Sequence, residues 1–260
     1  MKIATYNVLG LTGYPSSEAQ KDLGSLGSEE HVAHFAGVFA SLDCDLIALQ
    51  EGVAVRQMQQ IAKAMGYYLA THASPIAWPG HLLSRVPIVE SRTFSHFDPH
   101  VDVPPFSRTA GASLVEGARG ERLWVVDVHL HPGDVDLRRV EGDLIRDRVA
   151  ALLDHCPNVI VLGDFNCEVD ERVHENLRAL GFINAMQHAH VDGIQATMDT
   201  VGIRTHYIDH IYLSPTLAPA LQTAHVVRAD GFRHDGPQGE GLWVHSDHLP
   251  VVAEVDWDLA

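Results

Sequence analysis

Gly163-Asp164-Phe165-Asn166 places a carboxylate and a carboxamide two positions apart. In extended backbone, residues two apart point the same way, so Asp164 and Asn166 are expected to face one ligand while Phe165 enters the core. The carboxylate can hold a cation or take a proton, and the amide can donate to a phosphoryl oxygen. Ser246-Asp247-His248-Leu249-Pro250 adds a hard oxygen ligand and an imidazole suited to general acid/base work. In Tyr207-Ile208-Asp209-His210-Ile211, Asp209 can orient His248 and stabilise its imidazolium, as a carboxylate does in a catalytic triad. Gln50-Glu51 supplies a further carboxylate, a natural anchor for Mg²⁺, which typically uses one or two protein carboxylates plus substrate oxygens.

Each of these has an ordinary structural reading when taken alone. Asp and Asn favour turns, Glu51 could be a solvated strand end, Asp209 a buried structural carboxylate, and His248 a surface histidine. Their joint placement carries the chemical reading, and that depends on the elements that hold them.

The run from Lys2 to Val8 reads as a buried strand with Asn7 near its end. Gly10, Gly13 and Pro15 open a loop expected to run to Ser28, an N-cap for a helix over 29–42 with Val32, Phe35, Phe39 and Leu42 at helical spacing. Asp45 to Leu49 is a continuous apolar strand ending at Glu51. A helix over 54–65 is expected, then strands at 67–71, 80–84 and 88–97 and a loop at 98–107. Segments 109–116 and 121–128 read as a hairpin that leads to His129. Leu137, Val140, Leu144, Val149 and Leu152 mark one face of a helix over 135–154, with Gly142 as an interruption. A strand at 158–162 runs into Asp164, a helix follows near 171–180, and strands are expected at 205–213 and 249–257. Asn7, Glu51, His129 and Asp164 thus all sit at strand ends, where ligands commonly bind. The mixed order predicts two mixed sheets packed face to face with helices outside. No Pro/Gly/Ser-rich linker divides the chain, so 1–260 reads as a single domain.

Bulk properties bound the function. Lys and Arg number 18 against 34 Asp and Glu, a formal charge of −16. Proteins that grip long nucleic acids need a basic face, so this balance favours a small or lipid-derived phosphate ester over DNA. Cys44, Cys156 and Cys167 form no disulfide framework and suit a reducing compartment. With no apolar run long enough to span a bilayer and no secretory layout at the N-terminus, a cytoplasmic location is expected.

In order, Thr5-Tyr6-Asn7-Val8, Leu49-Gln50-Glu51, Leu83-Ser84-Arg85-Val86-Pro87-Ile88, Asp127-Val128-His129-Leu130, Gly163-Asp164-Phe165-Asn166, Ile208-Asp209-His210-Ile211 and Ser246-Asp247-His248-Leu249-Pro250 resemble the blocks of the endonuclease/exonuclease/phosphatase superfamily, with a deoxyribonuclease I-like fold. The resemblance spans residues 5–250. It implies a four-layered α/β sandwich and a Mg²⁺-dependent attack of water on phosphorus, with Mn²⁺ able to substitute. Asn7, Glu51 and Asp247 match its metal side. Asp209 and His248 match its Asp–His pair, and Asp164 and Asn166 the pair that orients water and phosphoryl group. His129 matches a donor to the phosphate. Either Asp164 or the Asp209-polarised His248 removes the water proton; the motifs leave both open.

Four residues are further candidates for substrate contact. Arg85 belongs to a block that in the family is often structural, and Arg108 precedes an apolar strand. His81 stands where many relatives have Asn and is expected to alter the substrate edge. His210 adjoins Asp209. The leading function is hydrolysis of a phosphodiester or phosphomonoester. A nuclease or DNA-repair endonuclease of the same fold is the first alternative, and a catalytically silent binding protein on this scaffold the second.

Overall fold

The computed structural model describes residues 1–95, 105–189, 193–198, 205–234 and 239–259. The first sheet contains β1 (Lys2–Asn7), β2 (Leu46–Gln50), β3 (Tyr68–His72), β4 (Gly80–Ser84) and two late strands. The second contains β5 (Ile88–Thr93), β6 (Ala110–Glu116), β7 (Arg122–His129), β8 (Val159–Asp164), β9 (Ile183–Asn184) and β10 (Asp209–Leu213). The late strands of the first sheet are β11 (Leu221–Val226) and β12 (Val251–Val255). The orders are β11-β12-β1-β2-β4-β3 and β5-β6-β7-β8-β10-β9. Both sheets are mixed: β1–β2 and β7–β8 run parallel, and the other strand pairs antiparallel.

Among the described residues, six α-helices accompany these strands: α1 (Ser16–Leu23), α2 (Glu29–Ser41), α3 (Val55–Met65), α4 (Val135–Leu153), α5 (Arg172–Ala179) and α6 (Ala185–Ala189). Phe35, Phe39, Met58 and Ile61 join α2 and α3 to the core of the first sheet. Ile145, Val149, Val173 and Leu177 join α4 and α5 to Trp124, Val126 and Val161 on the outer face of the second. Helices on both outer faces of two packed sheets make the expected four-layered sandwich.

Several local expectations change. The loop placed over 10–28 contains α1, whose Ala19 and Leu23 are buried. The edge strand β11 and the short β9–α6 unit lie where the sequence predicts no element. Most of the loop placed at 98–107 lies outside the described residues. The stripe read along α4 holds in part: Val149 and Leu152 are buried and Leu144 packs on the core, but Val140 is 56% exposed, and Arg138, Glu141, Gly142 and Ile145 are buried as well. Gly142 is there because α5 crosses close by: a Cβ on it would lie 2.9 Å from the Cβ of Val173.

A polar seam joins the two sheets. The Gln50 amide on β2 donates to Asp127 Oδ1 on β7 at 2.7 Å, and Thr5 donates to Gln50 Oε1 at 3.1 Å. His72 on β3 lies 3.6 Å from Asp127 and 3.1 Å from the Ser113 hydroxyl on β6. All these groups are fully buried, and unpaired they would be costly, so they lock the sheets in one relative register.

Gly163, one residue before the strand-end acid, has φ +140°, and a Cβ there would lie 1.9 Å from the Val128 carbonyl oxygen. Gly163→Ala should therefore force β7 and β8 apart and destabilise the fold by about 3 kcal/mol or more. A thermal midpoint within about 2 °C of wild type would contradict this close approach.

Candidate active site

Adjacent strands of the second sheet align three ionisable residues. His129 is in register with Asp164 across β7–β8, and Asp164 with Asp209 across β8–β10. Residues in register share a face, and this face looks toward the first sheet. There β1 ends at Asn7, in register with Gln50, and Glu51 follows with φ +50°. Asn7 Nδ2 donates to Asp164 Oδ2 across the sheets at 3.0 Å. The segment before β12 closes the site: the Ser246 hydroxyl donates to the Asn7 carbonyl at 2.7 Å, which sets Asp247 and His248 in place.

Asp209 Oδ2 lies 2.9 Å from His248 Nδ1, and His248 Nε2 lies 3.9 Å from Asp164 Oδ2. Oxygen and nitrogen atoms of Asp164, Asp209 and His248 all lie within 4.8 Å of one another. His129 Nε2 sits between Asp164 Oδ2 at 3.6 Å and Glu51 Oε1 at 3.7 Å. Asn166 leaves extended geometry, with φ +51°. Its backbone N–H donates to Asp164 Oδ1 at 2.9 Å, and its side-chain amide donates to the Leu130 carbonyl at 2.9 Å. The two residues thus form an Asx-type turn rather than a strand pair, while Phe165 enters the core as expected.

The electrostatics follow from burial and from crowding of acids. Burial raises the Glu51 carboxyl above its ordinary range, and Asp164 and Asp247 add to this. Burial also raises Asp164, with Asp209 adding, against His248, His129 and Asn7. For His248, burial alone would lower the pKa. Asp209, Asp164 and Asp247 outweigh it and lift the imidazole to about 10, so it is an imidazolium at neutral pH. Burial lowers His129 to about 4, against Asp164, so it is neutral.

Glu51 and Asp164 flank His129 Nε2, and Asp247 acts on Glu51 through its charge, so hard oxygen donors suited to a divalent cation gather on this side of the site. Among the described residues, the ion-pair partners of Glu51 and Asp164 are histidines, with no Lys or Arg. A buried acid pushed toward neutrality by its neighbours fits a place that a cation completes.

The four substrate candidates separate. Arg108 is beside the site: it acts electrostatically on His129, and its guanidinium carbon lies 5.7 Å from the centre of the Trp78 ring. Its Nε and Nη1 are buried without a hydrogen-bond partner. Arg85 is at the wrong end of the sandwich. It pairs with Asp43 at 2.6 Å and Asp45 at 3.2 Å, where β2 begins, about 15 Å of strand from Glu51. His81 is fully buried; its ring nitrogens meet the Thr71 hydroxyl at 3.0 Å and the Val53 carbonyl at 2.8 Å. It pairs with Leu49 rather than Gln50, which turns it to the helix side of the sheet. His210 is also fully buried, between the Cys167 carbonyl at 3.3 Å and Asn184 at 3.2 Å. A strand alternates faces, so a histidine next to an inward Asp209 must point outward.

Sequence reasoning missed three supporting groups. Glu141 accepts from Ser107 N–H and hydroxyl at 2.8 and 2.7 Å and from His131 N–H at 3.1 Å, tying the Arg108 segment to the end of β7. Asp209 N–H donates to the Thr197 hydroxyl at 3.1 Å. Ser246 anchors Asn7 as above. Only Ser246 carried a sequence signal, by lying in a recognised block.

These strand-end acids and histidines on a four-layered sandwich are the equipment of a hydrolase. The chain belongs to the Endonuclease/Exonuclease/phosphatase family, whose model matches residues 4–248, and it is a phosphoester hydrolase, in a family that generally uses a divalent metal. Its fold is that of a conserved protein of unknown function from Enterococcus faecalis V583 (TM-score 0.72, 19% identity, covering 98% of this chain and 99% of that one). It is also that of the Neisseria 3′ phosphatase NExo bound to a product DNA hairpin (0.68, 21%, 99% and 100%). A mannosyl-6-phosphatase from Bacteroides thetaiotaomicron VPI-5482 is similar too (0.70, 17%, 98% and 99%). No curated protein matches the chain.

The buried histidines predict acid sensitivity. Burial lowers His81 and His210 to about 4 and His174 to about 2. The folded state holds them neutral, while the unfolded chain takes up protons below about pH 6.5. Stability should therefore fall as pH drops from about 6.5 toward 4, by about 2 kcal/mol per histidine at pH 5. The raised His248 loses its contribution only as pH rises from about 6.5 through 10, outside that window. Thermal melts at pH 7.5, 6 and 5 check this; an unchanged midpoint would contradict it.

Proposed function

We propose that the protein is a Mg²⁺-dependent phosphoesterase that hydrolyses a phosphodiester or phosphomonoester by in-line attack of water, on a small or lipid-derived substrate, with Mn²⁺ able to replace Mg²⁺. The observation that carries this is the row His129, Asp164 and Asp209 on adjacent strands, closed by His248 at 2.9 Å and facing Asn7 and Glu51. Asn7, Glu51 and Asp247 would hold the ion. When bound, it polarises the phosphoryl oxygens and offsets the negative charge that develops on them.

The side chains supply the rest. Asp209 fixes the orientation of His248 and keeps it charged, so His248 Nε2 donates to the phosphoryl group. A protonated His248 is no base, which leaves Asp164 to take the water proton; its burial makes it a stronger base than a free carboxylate. Neutral His129 donates through Nε2. One N–H of the Asn166 amide is engaged with Leu130, and the other remains to donate. Arg108 offers two desolvated donor nitrogens, Nε and Nη1, to an anion.

The neighbour solved with a DNA hairpin supports a nuclease reading as second choice; the −16 charge speaks against it. A silent scaffold has little to rest on, since the sequence keeps an acid, amide or imidazole at each position the family motifs lead one to expect. Full-length coverage by the structural neighbours supports reading 1–260 as one domain. Three buried free cysteines suit a reducing compartment such as the cytoplasm. No helix of the described residues is long and apolar enough to cross a membrane.

Bis(p-nitrophenyl) phosphate and p-nitrophenyl phosphate, compared with plasmid DNA and abasic duplex, test the reading. Hydrolysis should require Mg²⁺ or Mn²⁺ and stop with chelator. His248→Ala and Asp164→Asn should each lower kcat on the order of 10³-fold with the fold intact. Full activity in chelator, or in His248→Ala, overturns the mechanism; a strong preference for duplex DNA selects the nuclease.

A further inference from the structure

The chain segments that follow Asn7 and Glu51 also build the wall of a cavity. Asn7 Oδ1 accepts from Leu9 N–H at 3.1 Å, and the Glu51 carbonyl accepts from Gly10 N–H at 2.7 Å. Between these bonds the chain turns through Leu9, Gly10 and Leu11 at φ +47°, +63° and +56°. Two leucines in the left-handed region cost of order 1–3 kcal/mol each, and such strain is retained where the surroundings impose it and often where a ligand binds. Leu9 and Gly10 then line a cavity of about 590 Å³ together with Tyr14, Leu26, Val53 and Trp78, while Gly52, next to Glu51, forms part of its floor. On the far side, the Trp78 carbonyl accepts from the Thr109 hydroxyl at 3.1 Å, and the Thr109 carbonyl accepts from His129 N–H at 2.7 Å. The cavity is thus anchored to Asn7, Glu51 and His129 at once, with Arg108 against Trp78 at its border.

Its chemistry is selective. No described residue lining it is charged, so it does not continue the phosphate site. Trp78 and Leu26 remain 40% and 51% exposed; large apolar groups left open beside a reactive centre mark a place that another apolar surface covers. Thr12, Ser16, Ser17 and Gln57 put hydroxyls and an amide on the lining. Aromatic walls with a few hydrogen-bonding groups match a flat ring with polar edges better than an alkyl chain, which offers those groups no partner.

We propose that this cavity is the subsite for the non-phosphoryl part of the substrate, and that it selects esters carrying an uncharged planar ring, either an aryl group or a nucleobase. This rests on the phosphoesterase reading above and narrows its substrate class. Phosphorus sits at the acids, and the ring lies in the cavity beyond Glu51 against Trp78 and Tyr14.

The test compares wild type, Trp78→Ala and Ser17→Trp on ring-bearing and ringless esters. Ser17 is exposed and outside the catalytic set, so the introduced indole fills the cavity without touching the acids. The esters are p-nitrophenyl phosphate and its bis-ester, thymidine 5′-phosphate, glycerol phosphate and decyl phosphate. Comparing variant with wild type on each ester cancels its intrinsic reactivity. Both variants should lower kcat/KM for ring-bearing esters about tenfold, mainly through KM, and Ser17→Trp, which leaves the Trp78–Arg108 contact in place, should change glycerol phosphate less than about twofold. A loss on the nitrophenyl esters alone assigns an aryl group; a loss on thymidine phosphate assigns a nucleobase. Equal losses on glycerol phosphate, or the largest loss on decyl phosphate, overturn the proposal. If wild type hydrolyses none of these, the phosphoesterase reading fails separately. Binding of phenyl phosphate and thymidine 5′-phosphate then reads the cavity. Ring-dependent binding abolished by Ser17→Trp supports the subsite, and no such binding overturns it.

Discussion

The hydrogen bond from Asn7 Nδ2 to Asp164 Oδ2, 3.0 Å across the gap between the sheets, is the contact on which the site depends. Its two residues end strands of different sheets, so its length reports how one sheet sits on the other. Hydrophobic packing alone would hold the sheets together without fixing their register, because it is non-directional. The seam Thr5–Gln50–Asp127–His72–Ser113 supplies the direction. Three of its members stand just before site residues: Thr5 two positions before Asn7, Gln50 one before Glu51, and Asp127 two before His129. A shift of either sheet would leave buried polar groups unpaired and would also separate the acids, so stability and geometry are enforced by the same bonds.

That coupling explains what was legible in sequence. Asn7, Glu51, His129 and Asp164 could be placed at one edge because each ends an apolar run, and apolar runs of strand length are easily read. The late strand carrying Asp209 and the segment carrying His248 were found through their blocks. His210 is a candidate by adjacency to Asp209, and His81 and Arg85 by their place in family blocks; none of these signals carries the direction of the side chain. His210 and His81 lie one residue from inward-facing positions, and strand alternation sends them to the helix side. Arg85 lies at the far end of β4, where it closes a salt bridge with Asp43 and Asp45. Arg108 could not be told from Arg85 by type. The difference is tertiary: Glu141 on a distant helix fixes the segment that presents it.

The helix α4 shows the same limit from another side. An aliphatic stripe through Val140 looked like its buried face, yet Arg138 and Glu141 are inside. Periodicity counts apolar residues; it does not register a carboxylate whose burial is compensated by three donors from two chain segments. Buried polar groups of this kind are where local pattern and tertiary demand part, and here they cluster around the site.

The acidity of the site and its protonation states form one system. Glu51, Asp164, Asp209 and Asp247 crowd a buried space, and the structure answers with one imidazolium, His248, rather than with a lysine. A lysine would neutralise the acids permanently and occupy the space a divalent ion needs. A single imidazolium on the Asp209 side leaves the Glu51 and Asp247 side electron-rich. The charge is therefore divided along the site, with the imidazolium of His248 at one end and the acids Glu51 and Asp247 at the other. On the proposed phosphoesterase reading, that asymmetry would give a bound phosphate a direction, with its oxygens toward His248 and His129 and a cation toward Glu51. The uncharged cavity begins beyond Glu51, so whatever the phosphorus carries has one apolar place to go.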